Sequence, residues 1–135
     1  MTWLEGEDFR TRIGTPPAQV AREALGILDR DGWCKWMTTV RPGAIITAEG
    51  ALVSFPEGSH CLGGAMNLIL TGCAEQWCEN AAAYDAAVGV IKEQYPLKWD
   101  DLDDLPSVGI ITFFNDLEDT AEEDVRRILE KLAAG

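Results

Sequence analysis

Imidazole is nearly missing from this chain: His60 is the only histidine among 135 residues. A His-rich metal site, or a mechanism that needs two imidazoles, is thereby excluded. Basic side chains are also scarce, with 11 Lys and Arg against 23 Asp and Glu, for a formal net charge of −12. A surface of that sign repels phosphate backbones and anionic lipid, so direct binding to nucleic acid or membrane is disfavoured, while a basic protein is steered in. No apolar run approaches the roughly 20 residues of a membrane span. The opening stretch Met1-Thr2-Trp3-Leu4-Glu5-Gly6-Glu7-Asp8 has neither the basic flank nor the apolar core of a secretion leader, which predicts a cytoplasmic protein. The four cysteines then read as reduced thiols rather than a disulfide framework. Also missing are G-x-x-x-x-G-K-S/T, G-x-G-x-x-G after a strand, G-x-S-x-G and H-E-x-x-H. Common nucleotide and hydrolase chemistries lose their support, and no cofactor is expected.

What is present suits a globular fold. A hydrophobic fraction of 47% with five tryptophans can bury a real core, and the length fits one domain. Residues 1–14 show no clear period and read as an arm pinned by Trp3, Leu4 and Phe9, ahead of a single compact domain over 15–135. Thr15 followed by Pro16 and Pro17 marks a helix start, because proline lacks only an N–H that would be unpaired there. Val20, Ala24 and Leu28 continue that helix as an apolar stripe, and Gly32 stops it. Arg41-Pro42-Gly43 reads as a turn, and the β-prone runs around Ala44–Thr47 and Ala51–Phe55 suggest a small β-hairpin.

The run His60-Cys61-Leu62-Gly63-Gly64-Ala65-Met66-Asn67-Leu68-Ile69-Leu70 is apolar enough to be buried on most sides. It predicts a central helix capped by Ser59 and stopped by Gly72. Its small residues Gly63, Gly64 and Ala65 leave a face on which another helix or hairpin could sit. A third helix follows from the stripe Ala83, Tyr84, Ala87, Val88 and Ile91. Residues 108–114 fit either a strand, from their β-branched and aromatic content, or a short helix after Pro106. The helix is preferred because no second long strand is available to pair with them. Thr120 and Glu123 form a capping box for the last helix, whose stripe is Val125, Ile128, Leu129 and Leu132. The expected class is therefore α+β and mostly helical: about four helices around the central one, with one small β-hairpin.

Four groups of side chains could carry chemistry. Cys61 in the first turn of a helix would be drawn toward thiolate by the helix dipole, with His60 and Asp116 as companions in catalysis. However, neighbouring side chains diverge by about 100° on a helix, and a buried cysteine more often acts as a small hydrophobe. Cys34, His60, Cys61, Cys73 and Cys78 are possible metal ligands, but only Cys73 and Cys78 have knuckle-like spacing, so no metal is assigned. Asn115-Asp116 could bind a hydroxyl or form a turn. The acidic cluster Asp100, Asp101, Asp103 and Asp104 lacks the glycine-centred pattern of a calcium loop. It reads as a solvated face or as a surface aimed at a basic partner.

Gly32-Trp33-Cys34, Cys61-Leu62-Gly63-Gly64-Ala65, Phe114-Asn115-Asp116, and Thr120 leading into Glu123-Asp124-Val125 with Leu129 occur in that order. Together they resemble an uncharacterised family of small actinobacterial and actinobacteriophage proteins, over about Thr15 to Ala133. The family pattern has W-N-D where Phe114 stands here. The resemblance implies a cytosolic origin, a compact domain and a phage accessory role, and it carries no known activity. The leading expectation is a non-enzymatic acidic binding protein that engages a basic host protein. The alternative is a small cysteine-dependent enzyme or ligand-binding protein with a pocket near Cys34, His60, Cys61 and Asn115-Asp116.

Overall fold

The computed structural model describes residues 14–35, 39–40, 46–48, 51–53, 55, 57–78, 81–95, 105–117 and 119–135. The expected arm with Trp3, Leu4 and Phe9, the Arg41-Pro42-Gly43 turn, and the acidic cluster Asp100, Asp101, Asp103 and Asp104 lie outside the described residues.

Among the described residues five helices follow one another: α1 Pro17–Asp31, α2 Leu62–Thr71, α3 Ala82–Gln94, α4 Ser107–Asp116 and α5 Glu122–Ala133. Between α1 and α2, β1 Ile46–Ala48 pairs antiparallel with β2 Ala51–Val53, Ile46 standing opposite Val53. Strands of three residues make no layer against which helices could pack, and a lone two-stranded ribbon is marginal in water. The expectation of an α+β domain with a β-hairpin as part of its architecture is therefore corrected. The mostly helical part of the expectation, about four helices around a central one, agrees with the five helices of the described residues.

α1 and α3 each pack against three of the other helices, α3 against α1, α4 and α5. α1 packs against α2, α3 and α5, while α4 packs against α2 and α3. Its buried stripe is Val20, Ala21, Ala24 and Leu28, and the two alanines let neighbouring helices come close. The expected centre, α2, is the more deeply buried element: Leu62, Gly63, Gly64, Ala65, Met66, Asn67 and Leu70 are all enclosed. That depth follows from its apolar composition. Leu28, Leu62, Met66, Leu70, Ile91, Ile110, Ile111, Phe114, Ile128 and Leu129 are fully buried, each contributing about 1.5–3 kcal/mol of transfer free energy.

Helix ends differ from expectation by one or two residues. Pro16, not Thr15, is the N-cap of α1, and its carbonyl receives the Val20 N–H at 3.0 Å. Gly32 closes α1 at φ 92°, a conformation other residues avoid. Cys61, not Ser59, caps α2, its Sγ accepting the Gly64 N–H at 3.2 Å. At α5 the cap is Ala121, and the Asp124 carboxylate receives the Ala121 N–H at 2.8 Å in place of the expected Thr120–Glu123 box. Residues 107–116 are helix: Ile110, Ile111, Phe114 and Asn115 face inward, so burial overrides their β-propensity.

At Gly63 the small face of α2 seats a side chain. A Cβ added at Gly63 would lie 2.2 Å from Cη2 of Trp77, so the indole occupies the space that glycine leaves. Among the described residues no helix is long and apolar enough to cross a membrane.

Candidate functional site

Cys34, His60, Cys61, Asn115 and Asp116, five of the residues singled out by sequence, converge where the segment after α1, the start of α2 and the end of α4 meet. After Gly32 the chain runs alongside the approach to α2: the His60 N–H donates to the Gly32 carbonyl at 3.0 Å and the Cys34 N–H to the His60 carbonyl at 3.1 Å. Thr39 pairs with His60 from the other side in an antiparallel bridge. This register brings Cys34 and Cys61 into one small buried cluster with Val40, against which Phe55 packs.

Asn115 ties the three segments together. Its side chain is completely buried near the end of α4. Oδ1 accepts the Trp33 indole N–H at 2.7 Å and the Leu62 backbone N–H at 3.0 Å. Nδ2 donates to the Cys34 carbonyl at 3.0 Å and to Asp116 Oδ1 at 3.1 Å. Two lone pairs and two N–H groups are the whole capacity of an amide, and here all are used. Lys35 joins the cluster, its buried Nζ donating to the Leu117 carbonyl and lying 5.8 Å from the centre of the Trp33 ring.

Both nitrogens of His60 are engaged. Nε2 lies 2.9 Å from Asp31 Oδ2, and Nδ1 lies 2.9 Å from Thr39 Oγ1. Since a carboxylate only accepts, Nε2 carries a proton, and neither nitrogen is turned to a cysteine. The Arg30 guanidinium grips Asp31 through bonds of 2.8 and 2.6 Å. That grip, with His60 adding to it against partial burial, holds the Asp31 carboxyl down at about 2.

The thiols are pushed away from reactivity. Burial, with Cys61 alongside, drives the Cys34 thiol up to about 12, and its Sγ donates to the Ser59 carbonyl at 3.6 Å. Burial drives the Cys61 thiol up to about 11 despite the Gly64 N–H pointed at it. The helix-start position was expected to favour thiolate; desolvation outweighs it. Cys73 is exposed and Cys78 is buried beside Tyr84, 3.6 Å from its hydroxyl, so the knuckle-like pair does not face one point. Among the described residues no three His, Cys, Asp or Glu side chains gather closely enough to hold a metal ion.

A second polar cluster went unnoticed in sequence. The Tyr84 hydroxyl donates to Asn67 Oδ1 at 2.6 Å and accepts the Cys78 N–H at 3.3 Å, while Asn67 Nδ2 donates to the Ala74 carbonyl at 2.9 Å. Burial raises the Tyr84 hydroxyl well above the usual phenol range. The signal was there: Asn67 is the one amide inside an apolar run, and a buried amide requires partners.

Concave surface lies elsewhere. A groove of about 440 Å³ runs along the outer side of α4, lined by Trp77, Val108, Gly109, Thr112, Phe113, Asp116 and Leu117. A neighbouring hollow of about 430 Å³ lies between α3 and the start of α4, around Tyr84, Asp85, Ser107 and Val108. Of the sequence candidates, Asp116 lines the first and Cys78 the second; Cys34, His60, Cys61 and Asn115 line neither. Trp77 and Phe113 were missed; the small face at Gly63 called for a bulky partner, but its identity could not be read.

No curated protein and no solved structure matches the chain. The model of a family of unknown function, DUF6197, matches residues 12–135, which takes in all five helices and both polar clusters. By that match the chain belongs to the DUF6197 family.

Proposed function

We propose that this chain is a non-enzymatic binding protein whose acidic surface engages a basic protein. The observation that carries the reading is the fate of the reactive groups. The two cysteines nearest a helix start or turn are buried with raised thiol pKa values, His60 is held by Asp31 and Thr39, and Asn115 has no hydrogen-bonding capacity left. Nucleophilic catalysis needs a thiolate and a base in reach of one another, and this arrangement offers neither. The reading then builds on charge, −12 over the chain. Long-range attraction of that size raises the association rate of cationic partners and falls with salt. The resemblance to actinobacteriophage proteins extends the proposal to an accessory factor that engages a host protein.

The test is affinity capture from host lysate at low and moderate salt, followed by calorimetry with the purified partner. A stoichiometric basic partner is expected, its affinity reduced by salt and by charge reversal at Asp100, Asp101, Asp103 and Asp104. A partner that binds equally well after charge reversal and at both salts sinks the electrostatic reading. Turnover of a substrate that stops in Cys61→Ser while the fold persists sinks the non-enzymatic one.

A further inference from the structure

Two thiols stand side by side in the junction. Trp33 and His60 are partners in a parallel bridge, fixed by the His60 N–H on the Gly32 carbonyl and the Cys34 N–H on the His60 carbonyl. One step further along this register Cys34 lies beside Cys61, whose backbone is still extended at φ −77° and ψ 175°. Neighbouring strands run about 4.8 Å apart with paired side chains on one face. A disulfide closes over Cα separations of about 4.4–6.8 Å, so the register meets its geometric requirement. Both side chains are buried in one cluster with Val40, and Cys34 feels Cys61 electrostatically.

Three roles compete for such a pair. A metal ion needs further ligands, and among the described residues no three His, Cys, Asp or Glu side chains gather closely enough. As small hydrophobes the two cysteines need no register with one another. Register and burial together fit a bond. We infer that Cys34 and Cys61 form a reversible disulfide, a redox latch that staples the segment after α1 to the start of α2. Little is lost when it closes. Cys34 Sγ gives up only a weak donor bond to the Ser59 carbonyl at 3.6 Å. Cys61 Sγ keeps lone pairs for the Gly64 N–H, so the cap of α2 survives. A disulfide is also uncharged and suits an apolar cluster in which a thiolate is costly.

The oxidant is a small disulfide of the glutathione class. One thiol loses its proton and attacks that disulfide, releasing one glutathione. The other thiol then displaces the second glutathione from the mixed disulfide. One S–S bond breaks and one forms, and two electrons and two protons pass from the pair to the two glutathiones. Burial slows this exchange in both directions, because thiols raised to about 12 and about 11 react only through opening of the fold. The latch therefore answers a sustained change in redox poise rather than a brief one. It alters no surface charge, so it stands or falls apart from the acidic binding reading.

The test equilibrates the full chain carrying Cys73→Ser, which removes the exposed thiol, with oxidised and reduced glutathione at about pH 8. Remaining thiols are alkylated, and linked peptides are identified by mass spectrometry. A Cys34–Cys61 link with Cys78 alkylated is expected, in a chain that keeps its far-UV circular dichroism. The closed ring constrains the unfolded chain, so oxidation should raise the thermal midpoint by about 5–10 °C, and dithiothreitol should return it. Cys61→Ala abolishes that shift; if this variant does not fold, the Cys73→Ser chain before and after dithiothreitol decides alone. Recovery of both thiols unlinked, or only as glutathione adducts, overturns the latch and leaves the pair as core packing. A link through Cys78 overturns it too, as does a Cys34–Cys61 link that lowers the midpoint.

Discussion

Asn115→Ala tests the junction most directly. The substitution removes one acceptor shared by the Trp33 indole N–H and the Leu62 N–H, and one donor to the Cys34 carbonyl. Asp116 Oδ1 also loses a bond but is half-buried and can turn to water. Each buried group left without a partner costs about 1–3 kcal/mol. Entry of a water into the vacated space would recover part of that. The expected loss is therefore about 3–5 kcal/mol, a large share of the roughly 5–15 kcal/mol that holds a domain together. At about 3 °C per kcal/mol for a chain of this size, the midpoint falls by about 10–15 °C. Urea unfolding and calorimetry measure it. A double-mutant cycle with Trp33→Phe, which deletes only the indole donor and part of the ring, should show coupling of about 0.5–3 kcal/mol. A loss below about 1 kcal/mol with no coupling would refute the claim that Asn115 joins the three segments.

Three further outcomes follow from the same geometry. Gly63→Ala must displace the Trp77 indole, so it should cost about 1–3 kcal/mol and change tryptophan emission; an unchanged spectrum at full stability contradicts the seating of Trp77. Asp31 has its carboxyl depressed to about 2 in the fold, below its unfolded value, so the stability it contributes is present above about pH 4 and is lost as pH falls toward about 2. Asp31→Asn should lower the midpoint at neutral pH and flatten that acid limb; an unchanged limb means the Arg30–Asp31–His60 group does not matter to folding. In the native chain an aromatic disulfide reagent at about pH 8 should label exposed Cys73 rapidly and Cys34 and Cys61 only through opening of the fold, since their thiols are raised to about 12 and about 11. Labelling of Cys61 as fast as Cys73 would reinstate it as a nucleophile.

Local rules carried far in this chain because they depend on neighbours in sequence. The four-residue spacing of Val20, Ala24 and Leu28, the stripe from Ala83 to Ile91, and that of Val125, Ile128, Leu129 and Leu132 all lie on buried helix faces. Gly32 and Gly72 both end helices at positive φ, 92° and 79°. Caps proved less legible. Thr15, Ser59 and Thr120 have good capping side chains, but Pro16, Cys61 and Ala121 hold the positions, because the place where a chain turns into a helix is set by what the helix packs against.

Composition and periodicity by themselves determined a helical, acidic chain with buried stripes and scarce basic groups. They could not decide the fold class between α+β and helical, since a β-prone run becomes a sheet layer only if its strands are long enough to be packed on. Nor could they tell which polar residues would serve chemistry and which would serve packing. Cys61, His60 and Asn115 have the same identities in a catalytic site and in a closed junction. Only the tertiary arrangement decides, because desolvation raises a thiol, a carboxylate occupies an imidazole and four partners exhaust an amide, and all of these come from residues distant in sequence.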